Sequence, residues 1–86
     1  MEFFTEKLDE QSREGCAYSL FCARVGGVRA YILCIDEAEC SAAELFDGSE
    51  ARARELFALL IRENLRACHL FDVVFDFRRE QRLEIL

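Results

Sequence analysis

The spacing of apolar residues changes character once along this chain. Residues 16–25 and 28–36 are dense in aromatic, β-branched and small apolar side chains with no helical period, and Gly26-Gly27 lies between them. Two glycines flanked by valines predict a two-residue hairpin loop, because the primed turns need positive φ and glycine adopts it without a Cβ clash. That loop also fixes a register. With Val25 opposite Val28, Ala23 faces Ala30, Phe21 faces Ile32 and Ser19 faces Cys34 on one side of the sheet. Arg24 with Arg29, Cys22 with Tyr31, Leu20 with Leu33 and Tyr18 with Ile35 fall on the other.

Residues 2–8 predict a short N-terminal strand, and the polar run over 9–15 a loop. Residues 42–46 read either as a short fourth strand beside the third or as an irregular approach to a helix. In Asp47-Gly48-Ser49-Glu50, Asp47 or Ser49 is suited to cap free amide donors, with Glu50 favoured in the first turn. The period then becomes 3.6. Ala53, Leu56, Phe57, Leu60 and Ile61 form one stripe of a helix over 49–65. In a second helix over 69–82, Leu70, Val73, Val74 and Phe77 recur at i, i+3, i+4 and i+7, and Phe71 and Phe75 form a separate apolar pair on a neighbouring face. Asp72 suits the positive N-terminal end of that helix, and Arg78, Arg79 and Arg82 its negative C-terminal end. The predicted fold class is α+β, an antiparallel sheet of three to four strands followed by two helices packed on one face.

Neither side of the paired strands is polar. A small antiparallel sheet covered on one face normally alternates apolar with polar residues so that its open face meets water. The Leu20, Tyr31, Leu33, Tyr18 and Ile35 side is expected to carry the helices. Phe21, Ile32, Ala23 and Ala30 are then left for solvent or a partner, unless the N-terminal strand and the C-terminal tail wrap over them. Phe21 and Ile32, with Phe71 and Phe75, are therefore candidate interface residues, and a homodimer is the expected assembly.

Composition narrows the class. Eighty-six residues, 52% of them hydrophobic, make one domain and exclude intrinsic disorder. Arg24, Arg29 and Asp36 interrupt the longest apolar stretch short of a membrane span, and the first residues lack the basic start and apolar run of a secretory signal, so a soluble cytoplasmic protein is expected. Five cysteines cannot all pair within one chain and read as reduced thiols. Net charge is −6, and residues 36–50 hold six acidic side chains and no basic one. Such a stretch repels a phosphate backbone, so no nucleic-acid partner is expected.

Candidate chemistry is sparse. Cys68-His69 adjoins a nucleophile to a base, but neighbours in sequence seldom point at each other, and the commoner outcome is a packed or capping Cys68 with His69 at the helix start. Asp72 and Asp76, one turn apart, can hold a cation or divide acid and base roles. They are more often solvated, with Arg66 and Arg79 as ordinary partners. Cys16, Cys22, Cys34, Cys40 and Cys68 show no zinc-type spacing, and no phosphate loop or hydrolase motif is present, so neither a metal nor a cofactor is expected.

The segment His69-Leu70-Phe71-Asp72-Val73-Val74-Phe75-Asp76-Phe77 resembles the closing His-Leu-x-Asp-Val-Val-x-Asp-Phe motif of a family of small uncharacterised bacterial proteins common in Clostridia. Tyr18-Ser19-Leu20, the strand at 28–36 and the helix from Ser49 stand in the order of that family's preceding elements. Ser19 replaces its glycine, and Phe75 a residue usually acidic. The resemblance implies a cytoplasmic bacterial α+β domain of unknown function and transfers no catalytic residue. The expected function is a non-enzymatic interaction or regulatory module that self-associates. The competing reading is a small enzyme or ligand-binding domain using Cys68, His69, Asp72 and Asp76.

Overall fold

The computed structural model describes residues 3–85, with side chains described except at 3, 4, 25 and 80–85. Four strands come first, β1 (Phe3–Arg13), β2 (Cys16–Val25), β3 (Val28–Asp36) and β4 (Ser41–Phe46), and they form one antiparallel sheet in sequential order. Helix α1 (Glu50–Arg62), a 3₁₀ turn at Ala67–His69 and helix α2 (Leu70–Ile85) follow. The fold is α+β.

The β2–β3 register is the predicted one, from Val25↔Val28 through Phe21↔Ile32 to Tyr18↔Ile35, around Gly26 and Gly27 at φ +58° and +84°. Residues 42–46 do form a strand, in register with β3 from Tyr31↔Phe46 to Asp36↔Ser41.

The expected loop over 9–15 is a correction. β1 continues through Arg13, and the chain turns over Glu14 and Gly15 alone, both at positive φ. The polar run is tolerated because β1 is an edge strand, where charged side chains stay in water and discourage pairing with other chains. A bulge at Leu8 lets this happen. Lys7 opposes Phe21 and Asp9 opposes Leu20, so the bulge exchanges the faces of the residues beyond it. Leu8 packs on the core, while Lys7 and Glu10, three residues apart, meet on the same face in a 2.7 Å ion pair. Of the expected first strand, residue 2 lies outside the described residues.

Both helices lie on one face. Tyr18, Leu20, Tyr31, Leu33, Ile35 and Phe46 from the sheet pack against Ala53, Leu56, Phe57 and Leu60 of α1 and Leu70, Val74 and Phe77 of α2. Each large side chain removed from water contributes about 1.5–3 kcal/mol, so this layer supplies most of the favourable energy of folding. The aromatic rings of Phe46 and Phe77 meet edge to face at 5.7 Å, and the Arg52 guanidinium lies 4.4 Å from the Phe77 centroid on the side of α1.

Ser49 caps α1, its Oγ accepting from Arg52 N at 3.2 Å. The helix ends at Arg62, earlier than the expected residue 65. Asn64 takes the left-handed conformation at φ +46°, and the Leu65 and Asn64 amides donate back to the Leu60 and Ile61 carbonyls. That pairing is a Schellman stop with asparagine in the usual glycine position. The second helix starts one residue later than expected, because His69 belongs to the 3₁₀ turn.

Candidate functional site

Three surfaces carry the residues singled out by the sequence. The first is the outer side of the 3₁₀ turn and α2. Leu70, Val74 and Phe77 point into the core and Val73 packs at its margin, so the positions on the opposite side of the helix point away from it. Cys68, His69, Asp72 and Asp76 are all exposed. Among the described residues no hydrogen bond or ion pair joins their side chains, and they form no group fit to hold a metal ion. Cys68 is thus neither packed nor capping. The expected partner Arg66 points elsewhere, its guanidinium donating to the Glu14 carbonyl and to Cys16 Sγ. Arg78 pairs with Asp47 at 3.5 Å, whereas the side chain of Arg82 lies outside the described residues.

The second surface is the face of the sheet opposite the helices. Phe21, Ile32, Ala30 and Cys34 are half-buried there, and Leu45 and Val28 are exposed. None of the four half-buried residues belongs to the core under the helices. Ala23, expected to be left open, is only 3% exposed. Its single methyl sits between Thr5 and Ala30 on the flanking strands. Lys7 shields part of Phe21, with Nζ 5.7 Å from the ring centroid. Lys7, Glu10, Ser19, Phe21, Cys34 and Ala43 line a shallow groove of about 420 Å³ across this face. Burial in the sheet, reinforced by the Asp36 charge, pushes the Cys34 thiol above its ordinary pKa.

The third surface is the outer edge of β4 and the α2 stripe above it. Phe71 and Phe75 are 61% and 52% exposed, and their rings stack at 6.2 Å. Arg78 is the next member of that i, i+4, i+7 stripe, and its contact with Asp47, just beyond β4, together with the packing of α2 on β4, places the stripe on the β4 side of the sheet.

One polar cluster joins residues too far apart in the chain for any sequence pattern to mark it. Arg13 Nη1 donates to the Ile61 and Arg62 carbonyls at 2.7 and 2.6 Å, covering the C-terminus of α1. Asn64 Nδ2 donates to the Arg13 carbonyl and to the Tyr18 hydroxyl, which itself donates to the Leu65 carbonyl at 2.9 Å. Glu37 in the β3–β4 loop accepts from the Ala67 amide at 2.6 Å. Burial raises the Tyr18 hydroxyl above the ordinary tyrosine pKa, and the neighbouring Cys16 thiol adds to it, while the hydrogen bond from Asn64 opposes it. These groups satisfy the carbonyls and amides of the α1–α2 connection, so their role is to fasten the helices to the sheet.

A more enclosed cavity of about 210 Å³ lies near the β2–β3 turn, lined by Glu6, Leu8, Cys22, Arg24, Arg29 and Glu50. Its two arginines are matched by two carboxylates, which leaves no net charge to select an ion. Cys68, His69, Asp72 and Asp76 line neither this cavity nor the open-face groove.

Comparison with protein-family models, with curated proteins and with solved structures finds no match for this chain. Among the described residues no helix is long and apolar enough to cross a membrane.

Proposed function

We propose that the chain is a cytoplasmic, non-enzymatic protein-interaction module that self-associates through the open face of its sheet. The observation carrying this reading is the row of Phe21, Ile32, Ala30, Cys34 and Leu45 on a face without helices, in a molecule only 18 Å through its Cα atoms in the thinnest direction. That thickness is one sheet plus one helical layer. From strand spacing and rise, the face measures roughly 19 by 30 Å, so pairing two copies face to face buries on the order of 1,000 Å², the size at which specific interfaces begin. Stacked sheets meet at about 10 Å, close enough for Phe21 and Ile32 of both copies to interdigitate.

Five free cysteines support a reducing compartment. The resemblance of residues 69–77 to the closing motif of small Clostridia-type proteins supports a bacterial origin. In that motif Leu70, Val74 and Phe77 serve the core, which accounts for its apolar positions by packing alone.

Size-exclusion chromatography with light scattering tests the reading. At high micromolar concentration the protein is expected to run at twice its 10.0 kDa mass. Ile32→Glu, which places a charge in the middle of the paired faces, is expected to run as a folded monomer. A monomeric parent protein, or an unchanged dimer in Ile32→Glu, overturns the assembly.

A further inference from the structure

The two edges of the sheet are built differently. β1 carries Glu6, Lys7, Asp9, Glu10 and Arg13 and is interrupted by the bulge at Leu8, features that block strand addition. β4 is Ser-Ala-Ala-Glu-Leu-Phe, with one charge and no register shift against β3. The parity of its hydrogen bonds follows from the loop. The Glu37 amide donates to the Cys40 carbonyl, so Ala42, Glu44 and Phe46 are the residues bonded to β3. Ser41, Ala43 and Leu45 therefore turn their backbone N–H and C=O groups outward, where no strand of this sheet meets them.

Two further features frame this edge. Phe71 and Phe75 stack on the helix above it and form an apolar wall beside any added strand. Glu39, Glu44 and Asp47 lie on β4 and the loops at its ends, with Asp36 at the adjoining end of β3, and among these described residues only Asp47 has a cation within ion-pair range, whereas Glu37 is turned to the Ala67 amide.

We infer that the β4 edge binds, by strand addition, an extended peptide that alternates apolar and basic residues. Backbone bonds to Ser41, Ala43 and Leu45 supply the register. Apolar side chains on one face of the peptide pack against Phe71 and Phe75, and its cations answer the acids around β4. A second copy of this chain does not fit here. α2 sits directly over β4, and two such helices brought together by paired β4 strands, about 4.8 Å apart, fall inside the 8–10 Å that packed helices need. The surface adjoins the open face used for self-association: Ser41, Ala43 and Leu45 turn their side chains to that face and offer the peptide only their outward backbone groups.

Amide hydrogen exchange on ¹⁵N-labelled protein tests the inference, with a blocked octapeptide of alternating lysine and valine as probe and its glutamate–valine counterpart as control. The lysine peptide is expected to slow exchange at Ser41, Ala43 and Leu45 at least tenfold, and the glutamate peptide to leave it unchanged. Ala43→Pro deletes one outward donor and keeps every bond to β3, so it is expected to weaken binding at least tenfold while circular dichroism still shows the parent fold. If that variant does not fold, the double variant Phe71→Ser, Phe75→Ser, altered only at exposed positions, is expected to show the same loss. Ile32→Glu is expected to bind the peptide normally, which separates this site from the assembly face. Equal binding of both peptides, no slowing at the three amides, or undiminished binding by the variants overturns the inference.

Discussion

Tyr18 shows how much one side chain can hold. Its ring is in the core, and its hydroxyl donates to the Leu65 carbonyl and accepts from Asn64, tying β2 to the connection between the helices. Tyr18→Phe keeps the packing and strands both partners, so a loss of about 1–3 kcal/mol is expected in urea unfolding. The same residue sets a pH dependence. Because the folded state raises the Tyr18 pKa, its contribution is complete below the unfolded value near 10 and is lost as pH rises through the higher folded value. The parent protein is therefore expected to lose stability above about pH 10, and Tyr18→Phe to lose less over that window. None of this is legible in the sequence. Tyr18 and Asn64 are 46 residues apart, and Arg13 lies 48 and 49 residues from the two carbonyls it covers.

Elements were legible where their cause is local. The Gly26-Gly27 turn sets the hairpin register through a steric preference of two residues, and β2 and β3 follow from it. Gly27→Ala meets no neighbouring atom but must hold φ +84°, so a cost of about 1–2 kcal/mol is expected in thermal unfolding, without a change in circular dichroism. The Glu14-Gly15 turn is not legible, because glutamate seldom marks a positive φ, and without that turn the polar half of β1 has the pattern of a loop. α1 was placed by its 3.6-residue stripe and its Ser49 cap. Its end falls three residues before the expected one because an asparagine at the stop is a weaker signal than glycine.

At the scale of the molecule, the sheet has one face under helices and one without, and function is proposed on the second. Cys34 reports on that face. Thiolate is the reactive form, so its raised pKa and partial burial are expected to make Cys34 slower to alkylate at pH 7.5 than exposed Cys40 and Cys68. Self-association is expected to slow it further as protein concentration rises, while Cys40 and Cys68 stay unchanged; peptide mapping by mass spectrometry reads all three rates. A Cys34 rate independent of concentration argues against the open face as the assembly surface.

The sequence by itself determined the strand pairing around the glycines, the two helical stripes and the apolar character of both sheet faces. These follow from φ preferences and side-chain periods that act over a few residues. Tertiary structure decided the rest. It folded the polar run into β1, dispersed Cys68, His69, Asp72 and Asp76 over an exposed surface, and hung Phe71 and Phe75 beside a free strand edge. Those outcomes depend on which atoms meet across tens of residues of chain, where the closure of the sheet and the seating of α2 leave one arrangement that buries the core and satisfies its backbone.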